Sequence, residues 1–513
     1  MALARTHSVA LVGVEGHLVE IEADIAQGLP ATILVGLPDT ALREARDRIR
    51  AAIVNTGESW PQTKITVGLS PASLPKRGSG FDLAIAIAIL TAADALPLLS
   101  PAGKMFLAEL GLDGRLRPVP GVLPAVAAAV DAAHAADTVV VAAENAAEAS
   151  LVPGVRVVAA GSLAEVAMWL RGGPAPAPSS PPAQQREPKD RPAKPKKDLA
   201  EVLGQPEARM AIEICAAGGH NLSLLGPPGA GKTMLAERLP TILPRLEPPA
   251  ALEVTSIHSV AGALPVGGGL LTEPPFCAPH HTASKAAIVG GGSAIIRPGA
   301  ASLAHRGVLF LDEAPEFQRD VLDALRQPLE SGEVIIARSA MCARFPARFT
   351  LVLAANPCPC ARASSGGAGC ECSPATRRRY LARLSGPLLD RVDVKVRLQP
   401  VSRQEMLYDR RFTETSAAVA ERVAAARERS AQRLGGTPWR LNAEIPGAEL
   451  RRSFSPERGA LRSLDRAMEL GQVSARGADK IVRVAWSVAD LAGKPRPGAT
   501  DVEFAIGLWL GVT

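Results

Sequence analysis

The chain is short of cysteine and of long apolar runs, and each shortage excludes a class of protein. Its longest uninterrupted apolar stretch, around LAIAIAIL, falls far below the ~20 residues of a membrane-spanning helix. The opening MALARTHSVALVGVEG sets Arg5, His7 and Glu15 inside any would-be export segment, so a cytoplasmic protein with no membrane partner is expected. Seven cysteines among 513 residues is an odd count, and their clustering does not suit a disulfide framework. A reducing compartment with thiols or metal-bound thiolates fits better. At 47% hydrophobic content the chain exceeds one ordinary core, since domains hold ~100–200 residues. Two or three domains are expected.

A net charge of +6 invites a nucleic-acid reading, but the excess is concentrated. Six basic residues between Arg186 and Lys197, against Glu187 and Asp190, supply +4 of it. They end the segment GGPAPAPSSPPAQQREPKDRPAKPKK, where proline, alanine and charge without apolar periodicity cannot form a core. Residues 172–197 therefore read as a semi-extended, solvated linker, able to add unspecific phosphate attraction. The expected division is a first domain over 1–171, this linker, a core domain over 198–400, and a helical domain over 401–513.

In the first domain, HLVEIEADI puts Val19, Ile21, Ala23 and Ile25 on one face and acids on the other, a half-buried strand. ATILVGL reads as a buried strand, TALREARDRIRAAIVNTG as a helix closed by Gly57, and KITVGLS as another strand. GSGFDLAIAIAILTAA and VLPAVAAAVDAAHAA read as apolar helices, TVVVAAE and VRVVAA as strands. The order of PKRGSGFDLAIAIAIL and GRLRPVPGVLPAVAAAVDAAHAADTVVVAAEN resembles the Lon protease domain (ribosomal S5-like, α+β). That resemblance places the family's serine at Gly80 and its lysine at Leu123, neither of which can serve. Ser79 and Lys76 are close enough in sequence for a shifted dyad, but a scaffold without protease chemistry is the expectation.

From Asp198 the signal sharpens. In NLSLLGPPGAGKTMLAERL an apolar strand leads into Gly226, Pro227, Pro228, Gly229, Ala230, Gly231, Lys232 and Thr233, then a helix. Backbone amides of such a loop curl around phosphate oxygens at a helix N-terminus. Lys232 is expected on the β- and γ-phosphates of ATP, and Thr233 on Mg²⁺. GVLFLDEAPEF supplies a second buried strand ending in Asp312 and Glu313. Asp312 is expected to hold the Mg²⁺ shell and Glu313 to orient and deprotonate the attacking water. LVLAAN adds a third strand, ending in Asn356 beside the γ-phosphate.

About 78 residues separate the phosphate loop from Asp312, with glycines at 267–269 and 290–292 and the pair His280-His281. They read as an inserted loop, the histidines diverging in structural or coupling roles. Between Glu330 and Asn356 a hairpin is expected to carry Arg338, Arg344 and Arg348, either a solvated face or a set of DNA-phosphate contacts. Next comes ANPCPCARASSGGAGCECS, holding four of the seven cysteines in fifteen positions. Cys358, Cys360, Cys370 and Cys372 can converge tetrahedrally on one structural Zn²⁺. Free thiols, disulfides or an iron–sulfur cluster are the alternatives.

FCAPHHTASKAAIVGGG, SLAHRGVLFLDEAPEF, LDALRQPLESGEVIIAR and LSGPLLDRVD, together with the flanking regions, resemble the AAA+ ATPases of the helix-2-insert group, most closely magnesium-chelatase-like proteins of the ComM (YifB) type. The resemblance implies an α/β P-loop core with a C-terminal helical lid, in which Asn356 is sensor 1, Arg391 an arginine finger completing a neighbour's site, and Arg476 sensor 2. It implies a homo-hexameric ring whose hairpins grip DNA in the pore, and a helicase promoting branch migration when single-stranded DNA is integrated by recombination in natural transformation. The alternative it leaves is a chelatase-type ATPase subunit remodelling a protein partner, a group expected to lack the first domain and the cysteine loop.

Overall fold

The computed structural model describes residues 2–36, 40–76, 78–131, 136–176, 197–264, 268–292, 296–338, 341–360 and 370–511. Most of the linker, the last residues of the VLPAVAAAVDAAHAA helix, Gly267 and the middle of the cysteine loop lie outside them.

Strands β1 (Ala2–Val12) and β2 (Glu15–Ala26) form a long antiparallel hairpin whose register, Ala2↔Ile25 to Val12↔Glu15, leaves Gly13 and Val14 for the turn. Gly13 takes φ +69, where a side chain would be strained. With β3 (Ala31–Val35), β4 (Lys64–Ser70), β5 (Lys104–Leu107), β8 (Thr138–Ala142) and β9 (Arg156–Ala160) they build a mixed sheet ordered β3-β4-β2-β1-β5-β8-β9; β6 (Glu109–Leu110) and β7 (Leu116–Arg117) make a separate ribbon. Alternation along β2 leaves Val19, Ile21 and Ala23 fully buried. The reading of ATILVGL as a buried strand is corrected: β3 is the sheet edge, with Ile33 and Val35 43% and 52% exposed. Apolar composition alone cannot tell an edge strand from a central one.

Helix Asp82–Ala92 is apolar all round apart from its ends, and every residue of it is buried. Its first residue is a carboxylate held by Arg48 Nε and Nη2 at 2.7 and 3.1 Å and by the Leu110 amide at 3.2 Å. Burial pushes the Asp82 acid up to about 6 despite that pairing.

The second sheet is wholly parallel, ordered β11 (Phe276–Cys277), β12 (Val308–Leu311), β15 (Thr350–Ala355), β10 (Leu222–Leu225), β16 (Val394–Arg397). Both faces are covered, as parallel sheets require. Leu222, Leu224, Val308, Phe310, Val352 and Ala354 pack to one side and Leu309, Leu311, Leu351 and Leu353 to the other. The first side also takes the C-terminal helices Ser416–Arg433, Ala475–Leu491 and Ala499–Leu510, so they share one apolar cluster with the sheet. Strands β13 (Glu333–Arg338) and β14 (Met341–Pro346) form the hairpin expected before β15.

The two sheets meet through helix Pro248–Ala261 and this hairpin. Glu148 Oε1 takes both the Leu123 amide at 2.9 Å and the Ser259 hydroxyl, while Gly121 N donates to Ser259 O at 3.2 Å. Val12, Val14 and Val260 pack with Ile296, Ala343 and Phe345, and a Cβ on Gly13 would lie 2.4 Å from Arg344 O.

Candidate active site

Three chain segments end at the C-terminal edge of the parallel sheet, where such sheets place their ligand crevices. After β10 the loop turns at once, its Gly226 amide donating to Ala355 O at 3.1 Å. A Cβ on Gly226 would approach Leu398 to 2.9 Å, so glycine is needed there for space. Gly229 and Gly231 are needed for backbone freedom instead, at φ +78 and +92 with open surroundings. Gly231 is the N-cap of helix Lys232–Ile242. Gln205 braces the loop from outside, its amide donating to Ala230 O at 3.2 Å and Gln399 O at 2.8 Å. Nothing in the sequence marked this glutamine.

Lys232 is folded into the loop and only 8% exposed. Its ammonium donates to Gly226 O at 2.7 Å, Pro227 O at 3.0 Å and Asn356 Oδ1 at 2.9 Å. Burial lowers its proton affinity, with Asp312 and Glu313 opposing. The Thr233 hydroxyl donates to Asp312 Oδ2 at 2.9 Å, and the other Asp312 oxygen accepts the Glu313 amide at 2.9 Å. The structure thus brings Lys232, Thr233, Asp312, Glu313 and Asn356 to one place. The hydroxyl and carboxylate that converge there are the oxygen donors a hard divalent cation takes.

Glu313 sits at φ +50, ψ +41, a left-handed conformation costing a non-glycine residue ~1–3 kcal/mol. Its Oε2 lies 3.2 Å from His281 Nδ1. This corrects the expectation that the paired histidines diverge: their rings lie 4.1 Å apart, and His281 meets an acid that follows a strand and lies 32 positions away in sequence. The pairing of β11 with β12 brings the two segments side by side.

Arg391 and Arg476 occupy a different place. Both line a cleft of about 1490 Å³ between the sheet and the C-terminal helices, and no residue of the phosphate loop lines it. Arg391 is mostly buried, donating to Glu330 and to Pro387 O, with its Nε left without a partner. Arg476 is exposed and 3.9 Å from Asp390. The hairpin reading needs one correction as well. Arg338 and Arg344 are on it, but the register Ile335↔Arg344 and Arg338↔Met341 sets them on opposite faces. Arg348 lies beyond it, in the return to β15, where its amide donates to His305 Nδ1 at 2.9 Å. The imidazole proton of His305 is therefore on Nε2, facing Glu253 at 3.0 Å.

The four cysteines Cys358, Cys360, Cys370 and Cys372 have their sulfurs within 4.8 Å of one another. The closest separations, 3.1, 3.3 and 3.5 Å, exceed an S–S bond of ~2.05 Å and approach the ~3.8 Å between ligands of a tetrahedral zinc thiolate. All seven cysteines are free thiols. The donor set fits Zn²⁺. Burial pushes the Cys358 thiol up to about 12, while the Cys372 amide and the neighbouring thiols bring Cys370 down to about 6.

In the first sheet's domain, Gly80 has open space where a side chain would be, and Leu123 is fully buried in an apolar cluster. The Lys76 ammonium donates to Pro71 O and the Ser79 hydroxyl to Glu109, so each of the two has a partner other than its counterpart. Among the described residues no helix is long and apolar enough to cross a membrane.

Architecture and site together define a P-loop protein of mixed α/β class with parallel strands. The family description "Magnesium chelatase, subunit ChlI" matches residues 198–406, its C-terminal counterpart matches 413–508, and "Subunit ChlI of Mg-chelatase" matches 21–145. The competence protein ComM of Haemophilus influenzae is 42% identical over 99% of this chain and 97% of its own. An uncharacterized protein of Mycobacterium tuberculosis (strain ATCC 25618 / H37Rv) is 52% identical over 99% of this chain and 98% of its own. The uncharacterized protein YifB of Escherichia coli (strain K12) is 41% identical over 96% and 94%. The chain belongs to the magnesium-chelatase-like AAA+ family, in the ComM type that these relatives share.

Proposed function

We propose that the chain is an ATP-hydrolysing DNA motor of the cytoplasm, working as a ring of six copies and promoting branch migration as single-stranded DNA is recombined into a duplex. The observation that carries the DNA half is the near full-length identity to a competence protein. The hydrolytic half rests on the convergence of Lys232, Thr233, Asp312, Glu313 and Asn356.

In this reading the ammonium of Lys232 exchanges its loop carbonyls for phosphate oxygens when ATP enters. Thr233 and Asp312 would hold Mg²⁺, which would supply positive charge against the bound phosphates. Glu313 takes a proton from the attacking water, and Asn356, already bonded to Lys232, registers the γ-phosphate. Arg391 completes a neighbour's site, since it shares a cleft with Arg476 rather than with its own phosphate loop. The four cysteines hold a structural Zn²⁺ that stiffens the chain directly after Asn356. Arg338, exposed at the hairpin end, is the first candidate for a phosphate contact. The first domain is a docked scaffold without protease chemistry. A second reading, an ATPase subunit remodelling a protein partner in metal chelation, draws on the chelatase descriptions matched along the chain. Turnover of ATP measured with and without single-stranded DNA, beside unwinding of a branched duplex, separates them. No stimulation and no unwinding by assembled rings would leave the second.

A further inference from the structure

We propose that Lys480 is a positioning residue for Arg391: paired with Asp393, it clamps the short segment that carries this arginine to the helix that carries Arg476. The inference rests on the ATPase reading above and on Arg391 serving a neighbouring copy's site.

Arg391, Val392 and Asp393 lie between helix Gly386–Leu389 and β16, and hydrogen bonds hold them from two sides. The first side is Asn221, directly before β10. Its side-chain Nδ2 donates to Arg391 O at 2.9 Å, its backbone amide donates to Asp393 Oδ2 at 2.8 Å, and its carbonyl accepts the Asp393 amide at 2.9 Å. Asn221 is itself tied across the sheet, its Oδ1 accepting the Leu351 amide at 2.8 Å. The second side is Lys480 of helix Ala475–Leu491, whose ammonium donates to Asp393 Oδ1 at 2.7 Å and to Val392 O at 3.4 Å. Both oxygens of the Asp393 carboxylate are therefore used, one on the sheet and one on the helix.

Lys480 and Asp393 are 7% and 6% exposed. Exchanging a buried ion pair for apolar groups of like volume is often neutral or stabilising, so stability alone gives no reason for this one. Its placement does. Lys480 is about one helical turn from Arg476, and Arg391, Asp393, Arg476 and Lys480 all border the same cleft. The Arg391 guanidinium has little to hold it in place: it meets Glu330, whose side chain is 62% exposed, and Pro387 O, and its Nε has no partner among the described residues. A charge at the end of so long a stem returns to one spot only if the backbone beneath it is fixed. Asn221 fixes that backbone to the sheet, and Lys480 fixes it to the helix of Arg476, so the two arginines keep one spacing.

Lys480→Met keeps the stem and removes the cation. Its kcat for ATP should fall roughly 10- to 100-fold, the cost of misplacing a group by about 1 Å, with nucleotide affinity unchanged. The deciding measurement mixes these chains with Glu313→Gln chains, which are inactive but carry an intact Arg391 and Lys480. Adding the inactive chain should raise turnover per Lys480→Met chain, because a phosphate loop beside it then meets a correctly held arginine. A fault confined to the variant's own fold stays with that chain, so turnover that does not rise in mixed rings overturns the proposal. Lys480→Met leaves the Asp393 carboxylate buried without a cation. If it folds poorly, Lys480→Met/Asp393→Asn, which removes both charges and keeps an acceptor for the Asn221 amide, takes its place with the same outcomes. Arg391→Ala mixed with Glu313→Gln is the control for the underlying reading. If those mixed rings stay dead, the role of Arg391 across a boundary fails, and adding Lys480→Met to Arg391→Ala decides the clamp: no further loss supports it, and a full further loss overturns it.

Discussion

Replacing Lys232 with methionine removes a charge and keeps most of the volume, and the arrangement of the loop sets the cost. In the nucleotide-free chain all three ammonium protons are used, on Gly226 O, Pro227 O and Asn356 Oδ1 at 2.7, 3.0 and 2.9 Å. ATP binding exchanges neutral acceptors for anionic ones. Hydrogen bonds to charged groups contribute ~1.5–3 kcal/mol each against ~1 kcal/mol for neutral ones, so two exchanged bonds leave a net ~1–4 kcal/mol. That is roughly a 5- to 900-fold weakening of Kd in the methionine variant, about a hundredfold near the middle of the range.

Thermal unfolding with and without Mg-ATP reads this directly. At a ligand concentration ~100 times the wild-type Kd, binding stabilises the native chain by ~2.7 kcal/mol, and a hundredfold weaker site leaves only ~0.4 kcal/mol. The variant should therefore lose nearly all of the ATP-dependent rise in Tm. Without nucleotide its Tm should fall modestly, because Asn356 Oδ1 loses its partner in a site where it is 7% exposed. An ATP-dependent rise equal to wild type would refute the placement of phosphate at this loop.

Why the sequence marks the residues that converge at the sheet edge and not their surroundings follows from what each depends on. Strands β12 and β15 are buried on both faces and β10 on one, so they read as apolar runs, and the residues that matter come directly after them: Gly226, Asp312, Asn356. Local order was enough. The cysteines were legible for a similar reason, since two close pairs joined by a short loop can hardly avoid meeting. The contact of His281 with Glu313 depends instead on β11 lying beside β12, a topological fact with no local signature. The three hairpin arginines show the opposite failure. Their spacing is legible, but which face each takes depends on the register Ile335↔Arg344, and the strand stops at Pro346, before Arg348. The C-terminal helices read as a separate unit, yet Trp486, Val502 and Leu508 join the cluster under β10 and β16, because amphipathic helices announce that they will bury a face but not against what.

Further tests address the other groups. Glu313→Gln should bind ATP and fail to hydrolyse it, and mixing it with Arg391→Ala chains should restore some turnover if Arg391 acts across a subunit boundary; mixed rings dead at every ratio would refute that role. Replacing Cys358 and Cys360 with serine should remove one bound Zn²⁺ per chain, seen by elemental analysis, and leave ATP binding intact; under about a tenth of an equivalent of any transition metal in the wild type would rule the site out. Neutralising Arg338 should reduce the slope of log K for DNA against log salt by ~0.7–0.9, and an unchanged slope would move the contact elsewhere. The last test concerns Asp82, raised from 3.8 to about 6 chiefly by burial. A folded acid raised above its unfolded value favours the protonated form, so its contribution is complete below pH ~4 and is lost as pH rises through about 6. The shift, in which the Arg48 pairing at 2.7 Å already opposes the cost of burial, corresponds to ~3 kcal/mol. Asp82→Asn carries no such titration, so its stability relative to wild type should improve as pH rises from 4.5 to 6.5, whatever constant amount it loses by leaving Arg48 without an anion. Parallel stability curves for the two proteins across that interval would show that Asp82 stays ionised throughout, held by Arg48 against the cost of burial.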